Sequence, residues 1–178
     1  MQHDFARHPI NDEAFATSRM LQSLKNGLPL LLPYPNNGLH FYDAPYWLED
    51  QEKQWEAQWI TFGADFGGCF VLEKEKPVVH YLYHNGNTFD WMFCNQSFQQ
   101  FVVFNNMFIS LVIEKISRRE EAFFTDKHVQ AMEDILTGID TLSFRYEHTY
   151  WSMRLYELSD GMFPLDGAVR KFHEKMGI

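Results

Sequence analysis

The chain predicts a single α+β domain spanning residues 1–178, with a mixed and mainly antiparallel sheet of about 5–6 strands and helices packed on it. Three observations carry this expectation. The block from Trp59 to Phe93 is a succession of short apolar or alternating runs, the pattern of strands. Within it Asn85-Gly86 lies between VVHYLYH and TFDWMF as the turn dipeptide of an antiparallel hairpin, because both residues tolerate positive φ. Asn95 then offers an N-cap to a helix from Gln96 to about Lys115, in which Phe98, Phe101, Val102, Asn105 and Phe108 recur at three-and-four spacing.

The elements follow in order. A first helix is expected after Asn11, with Asp12 and Glu13 in its first turn, ending at Gly27. The stretch LPLLLPYPNNGLHFYDAPYW holds four prolines and an Asn-Gly-containing turn, which exclude helix and allow one or two short strands. LEDQEKQWEAQ reads as a helical turn or a polar loop. WEAQWITFG alternates, GCFVLEK is apolar on both faces, and Glu73 to Pro77 forms a turn. TDKHVQAMEDILTG predicts a helix from Thr125 to Leu136 whose apolar face is Val129, Met132, Ile135 and Leu136. In TYWSMRLYEL, Trp151, Met153 and Leu155 alternate as in a strand, while Trp151, Leu155 and Leu158 fit a helix; the alternation favours strand. DGAVRKFHEKMGI predicts a terminal amphipathic helix.

Composition bounds function. A chain of 178 residues buries roughly 70% of its unfolded surface, enough for one core without metals or disulfides. Its 17 Phe, 8 Tyr and 5 Trp supply rings for that core and for any partner surface. Cys69 and Cys94 match neither a disulfide framework nor a zinc site, so buried free thiols are expected. Neither a signal sequence nor a membrane span is legible, which together with the thiols points to a reducing cytoplasm. The net charge of −9 is shared equally, −3 each from residues 1–50, 51–94 and 95–178. With no basic stripe, direct nucleic-acid binding is disfavoured. An acidic surface keeps a protein soluble and also steers it toward basic partners.

The chemistry-bearing residues form no catalytic motif. His80 and His84, four apart on a strand, share a face but stand roughly 13 Å apart, too far for one metal. Asp90 on the next strand could pair with one of them as a histidine-carboxylate base, the one arrangement that would make a small enzyme of this chain. No nucleophile or oxyanion site accompanies it, and a satisfied pair on a sheet surface is the more frequent outcome. Gly63, Gly67 and Gly68 lack the Lys-Ser/Thr ending of a phosphate loop and read as turn residues. Cys94 before a helix start is a conceivable reactive thiol, but burial is its ordinary state. His128 and His148 lack the spacing of metal ligands. No catalytic, cofactor-binding or metal residue is nominated, and no cofactor is expected.

A Trp-containing strand ending in Phe62-Gly63, Gly68 before an apolar strand, the hairpin, and an aromatic strand running into CNQSFQQF together resemble the SUKH superfamily of Smi1/Knr4-like domains. The match is nearest its SUKH-4-like immunity branch, whose helix starts N-x-S-x-x-x-F. LKNGLP and YWSMRLYELSDG are similar to further elements of that family, so the resemblance covers about residues 14–161. The chain departs from the pattern at EKEKP, where a Gly-bearing turn is usual, and in the Phe-rich character of its N-x-S helix. The resemblance implies a non-enzymatic cytoplasmic immunity protein that binds and neutralises a cognate bacterial toxin, in such systems often a nuclease. The alternative it implies, from the role of eukaryotic relatives, is a regulatory or scaffold module of the same fold binding host proteins. Neither implies a membrane partner, and the contact residues and any self-association are left open.

Overall fold

The computed structural model describes residues 6–9, 31–34, 37–49, 59–73, 76–86, 88–117, 126–146 and 148–160. Six strands, β1 (Ala6–Pro9), β2 (His40–Glu49), β3 (Trp59–Ala64), β4 (Gly68–Glu73), β5 (Val79–Asn85) and β6 (Thr88–Asn95), lie side by side in chain order. Every pairing is antiparallel, so the sheet is a meander. Three helices follow among the described residues: α1 (Phe98–Ser117), α2 (Asp126–Ile139) and α3 (Tyr150–Ser159), with a 3-10 turn at Thr141–Phe144 before α3. This is the α+β class expected, with a sheet that is antiparallel throughout. The expected helices at 11–27 and in the C-terminal segment, and most of LEDQEKQWEAQ, lie outside the described residues.

Local chemistry explains the strand ends. Pro45 falls where the β2–β3 register shifts between Phe41 and Tyr46, a break that accommodates a residue with no N–H to give the ladder. The hairpin stands one residue away from its expected position. Asn85 pairs with Thr88, so Gly86 is the first central turn residue, at φ 65°, and Asn85 closes the strand. Only a residue free of a Cβ adopts that φ at no cost. Gly68 is required for a different reason: a Cβ there would lie 1.9 Å from the Leu82 carbonyl oxygen of the neighbouring strand.

The cross-strand register sorts side chains onto two faces. Ile60, Phe62, Phe70, Leu72 and Tyr81 point to the helices and are at most 2% exposed. Rings dominate this interface. Phe62 meets Phe98 and Phe101 at 5.2 and 5.4 Å, and Phe70 meets Phe101 and Tyr150 at 5.1 and 5.2 Å. The helical spacing read in α1 therefore faces the sheet as expected. On the opposite face Leu48, Trp59, Val71 and Leu82 form a second buried cluster, which accounts for β4 being apolar on both sides.

Two helical expectations need correction. Residues 150–159 are helix, not strand, because Thr149 and Ser152 form a reciprocal capping box and Tyr150, Trp151, Leu155 and Leu158 are the buried set. Alternation had grouped Met153 with Trp151, yet Met153 is only half-buried. In α2 the buried residues are Met132 and Leu136, and Ile135 is 54% exposed, so the helix presents a narrower apolar stripe than its sequence offers.

Candidate functional site

The histidines and the carboxylate do not meet. His80 pairs across the strands with Phe93 and His84 with Phe89, whereas Asp90 pairs with Tyr83. Directly opposed residues share a face and neighbours alternate, so Asp90 stands on the other side of the sheet from both histidines. Its partner is Tyr83, whose hydroxyl pKa is raised by burial and then by the Asp90 charge and hydrogen bond. The histidine-carboxylate base expected as the enzymatic alternative is not assembled. Among the described residues no three His, Cys, Asp or Glu side chains gather as a metal would require.

His80 occupies an aromatic cage instead. Its ring lies edge-to-face with Trp59 at 5.2 Å, Trp91 at 4.8 Å and Phe93 at 6.0 Å, and it is 7% exposed. Burial pushes its pKa down from 6.5 to about 4, with Glu73 opposing and Lys76 reinforcing the shift. The native state thus holds the neutral ring. Its contribution is fully present above pH 6.5 and is lost as pH falls toward 4, where the unfolded chain takes up a proton that the folded chain refuses. The expected loss is roughly 3 kcal/mol between pH 7 and 4. Urea unfolding midpoints across that window check it: His80→Phe should flatten the profile, and an unchanged slope would refute the assignment.

Asn95 also departs from expectation. Ser97 caps α1, its hydroxyl accepting from the Gln100 N–H at 3.2 Å, while Asn95 is fully buried at the end of β6. Its amide donates to Ser143 Oγ at 2.9 Å and to Asp140 Oδ2 at 3.2 Å, and its oxygen accepts from Trp151 Nε1 at 2.8 Å. Asp140 accepts further bonds from the Gln96 backbone and side chain at 2.9 and 2.8 Å. Burial alone would raise the Asp140 pKa, but the hydrogen bonds it accepts from Gln96 and Asn95, with the Ser143 hydroxyl beside it, outweigh that and the net shift is downward. Ser143 Oγ donates to the Cys94 carbonyl at 2.6 Å, and the Thr149 hydroxyl donates to the Ser143 carbonyl. One polar node thereby ties β6 and the starts of α1 and α3 together. Cys94 is buried and its thiol pKa is raised by burial, the opposite of an activated nucleophile.

A second buried cluster braces α3 on the sheet. Tyr81 donates to Asp65 Oδ1, which also accepts from the Gly67 and Gly68 N–H groups at 2.9 and 3.1 Å. Arg154 stands 4.0 Å from Asp65, pairs with Glu157 at 3.1 Å and lies 5.0 Å over the Tyr150 ring. Burial pushes the Tyr81 and Tyr150 hydroxyls well up, so both remain neutral, and Tyr81 keeps the proton it donates to Asp65. The adjoining cavity, lined by Asn37, Asp65, Asn105 and Arg154 among others, measures about 10 Å³, room for one water molecule. The cluster is thus shaped as a brace.

The surface offers something different. Between α2, the 3-10 turn and α3 opens a groove of about 640 Å³ lined by Glu133, Phe144, Arg145, Tyr146, His148, Ser152, Met153 and Tyr156. Tyr146 is 65% and Tyr156 is 56% exposed, and Arg145 lies 5.7 Å over the Tyr146 ring. Phe144 is anchored from behind by stacking on Phe104 at 6.1 Å. Tyrosine, arginine and methionine are the residue types enriched where proteins bind proteins. None of these residues was nominated from the sequence. The available signal was the helix period in 150–159, which turns Ser152 and Tyr156 away from the side of Trp151 and Leu155. His148 lines this groove; His128 is exposed on α2.

Compared with protein-family models, curated proteins and solved structures, the chain finds no match. Among the described residues no helix is long and apolar enough to cross a membrane.

Proposed function

We propose that this protein is a cytoplasmic immunity factor of SUKH type, which neutralises a cognate toxin by binding it and performs no chemistry of its own. The observation that carries the reading is the groove, where Tyr146 and Tyr156 stand more than half exposed. Large rings exposed to that extent bring much apolar area to a partner at little cost in conformational entropy, since each has only two side-chain torsions. The formal charge of −9 supports a basic partner surface, such as that of a nuclease, by raising encounter rates through long-range attraction.

The test is a calorimetric titration of the purified protein with the toxin encoded beside it. Tyr146→Ala combined with Tyr156→Ala should weaken that complex by about 2–4 kcal/mol, roughly 30- to 1,000-fold. Both side chains are exposed, so folding stability should stay within about 0.5 kcal/mol of wild type. A wild-type protein with no affinity for the toxin would end the proposal.

A further inference from the structure

Three parts of the chain meet around the small cavity beside the Asp65 brace. Asn37 comes from the turn closed by the Tyr34–Leu39 bridge, Asp65 from the turn between β3 and β4, and Arg154 from α3. The backbone of Asn37 is satisfied: its N–H donates to the Tyr34 carbonyl at 3.1 Å, and its carbonyl accepts from the Phe66 N–H at 3.3 Å. Its side chain is not. Asn37 is only 7% exposed, yet its Oδ1 has no hydrogen-bond partner among the described residues. A buried amide oxygen stranded in this way is costly, and native structures rarely leave one uncompensated.

Asp65 and Arg154 share the lining with Asn37. Asp65 Oδ1 already accepts from Tyr81, Gly67 and Gly68, while Oδ2 faces Arg154 Nη2 at 4.0 Å. That separation is too long for a direct hydrogen bond and is one that a water can bridge, standing off the line between the two atoms. The volume of about 10 Å³ is the least that holds one water and leaves no room for a second.

We infer that this cavity is the binding site of one structural water molecule, which donates to Asn37 Oδ1 and Asp65 Oδ2 and accepts from the Arg154 guanidinium. Three such bonds are the usual number for a buried water. The lining selects water by its chemistry as well as its size. Two acceptors and a donor-only guanidinium match a molecule that both gives and takes protons, whereas Arg154 would repel a cation and Asp65 an anion. The water completes a hydrogen-bonded path from the turn at Asn37, through the β3–β4 turn, to α3. Because α3 carries Ser152, Met153 and Tyr156, it helps to fix the helix on which those groove residues stand.

High-resolution crystal structures of the full chain, wild type and Asn37→Leu, test the inference together with amide hydrogen exchange in solution. Wild type should show one fully occupied water within about 3.2 Å of Asn37 Oδ1, Asp65 Oδ2 and an Arg154 nitrogen. A cavity without density, or a water that bonds neither Asn37 nor Asp65, would overturn it. Asn37→Leu nearly keeps the size of the side chain and removes the acceptor. The variant should lose the water, and its Phe66 amide should exchange about tenfold faster. A variant that keeps the water would also overturn the assignment, and if Asn37→Leu does not fold the wild-type density decides alone.

Discussion

Trp151→Ala is expected to lower the unfolding free energy by about 5 kcal/mol, against the 5–15 kcal/mol that holds a typical domain together. Trp151 is 1% exposed and packs against Tyr150, Phe104, Phe108 and Phe101 at ring separations of 5.0, 5.4, 5.8 and 5.9 Å. Truncation leaves a cavity among aromatic rings that are themselves pinned to the sheet, which costs about 3–5 kcal/mol because little can collapse into it. It also strips Asn95 Oδ1 of its indole donor in a fully buried setting, adding about 1 kcal/mol. Trp151→Phe keeps part of the packing and loses the hydrogen bond, so a loss of about 2–3 kcal/mol is expected. Urea denaturation of the three proteins gives these values directly. An alanine variant within 1 kcal/mol of wild type would mean that the helix interface is not the principal core.

The second large effect is at Asp140→Ala, where a loss of about 4 kcal/mol is expected. The carboxylate is 1% exposed and accepts from Gln96 N, Gln96 Nε2, Asn95 Nδ2 and Leu142 N. Removing it strands several donors at once, and leaving buried partners unsatisfied costs more than any single bond contributes. Because the folded pKa lies below the unfolded value of 3.8, the ionised node contributes stability that is present above that pH and lost as pH falls through the folded value. Asp140→Asn keeps one acceptor oxygen, so it should lose about half as much and abolish this acid-dependent part. Asp140 and Trp151 both bond Asn95, so their effects should not add; a double variant is expected to fall about 1 kcal/mol short of the sum. Simple additivity would show that the node is not one unit.

These two residues mark where sequence reasoning ran out. The meander was legible because each strand is a short apolar run closed by its own turn, and such pairings are local. Even there Asn85-Gly86 suggested a turn one position early, since the dipeptide signals positive φ without saying which of its residues begins the turn. The helix α1 was legible from its phenylalanine spacing, whereas Asn95 misled: an asparagine before a helix reads as a cap, and nothing local shows that Ser97 does that work while Asn95 is recruited by Asp140 and Trp151, 45 and 56 residues away. TYWSMRLYEL matched both periods. The capping of Thr149 and Ser152 and the fit of Trp151 into the ring cluster decided it, and that fit depends on contacts distant in sequence. The groove was out of reach for the same reason. Its walls belong to α2, the 3-10 turn and α3, and Tyr156 takes its place only once 150–159 is helical.

Protection by binding, as proposed for this protein, is tested in living cells. Its most direct measurement is the growth of cells expressing the toxin encoded beside this protein, with wild type, with the Tyr146→Ala/Tyr156→Ala variant, or with an empty vector. Wild type should restore growth and the folded double variant should fail to. Cells that die equally with wild type and with the empty vector would show that this protein does not neutralise that toxin.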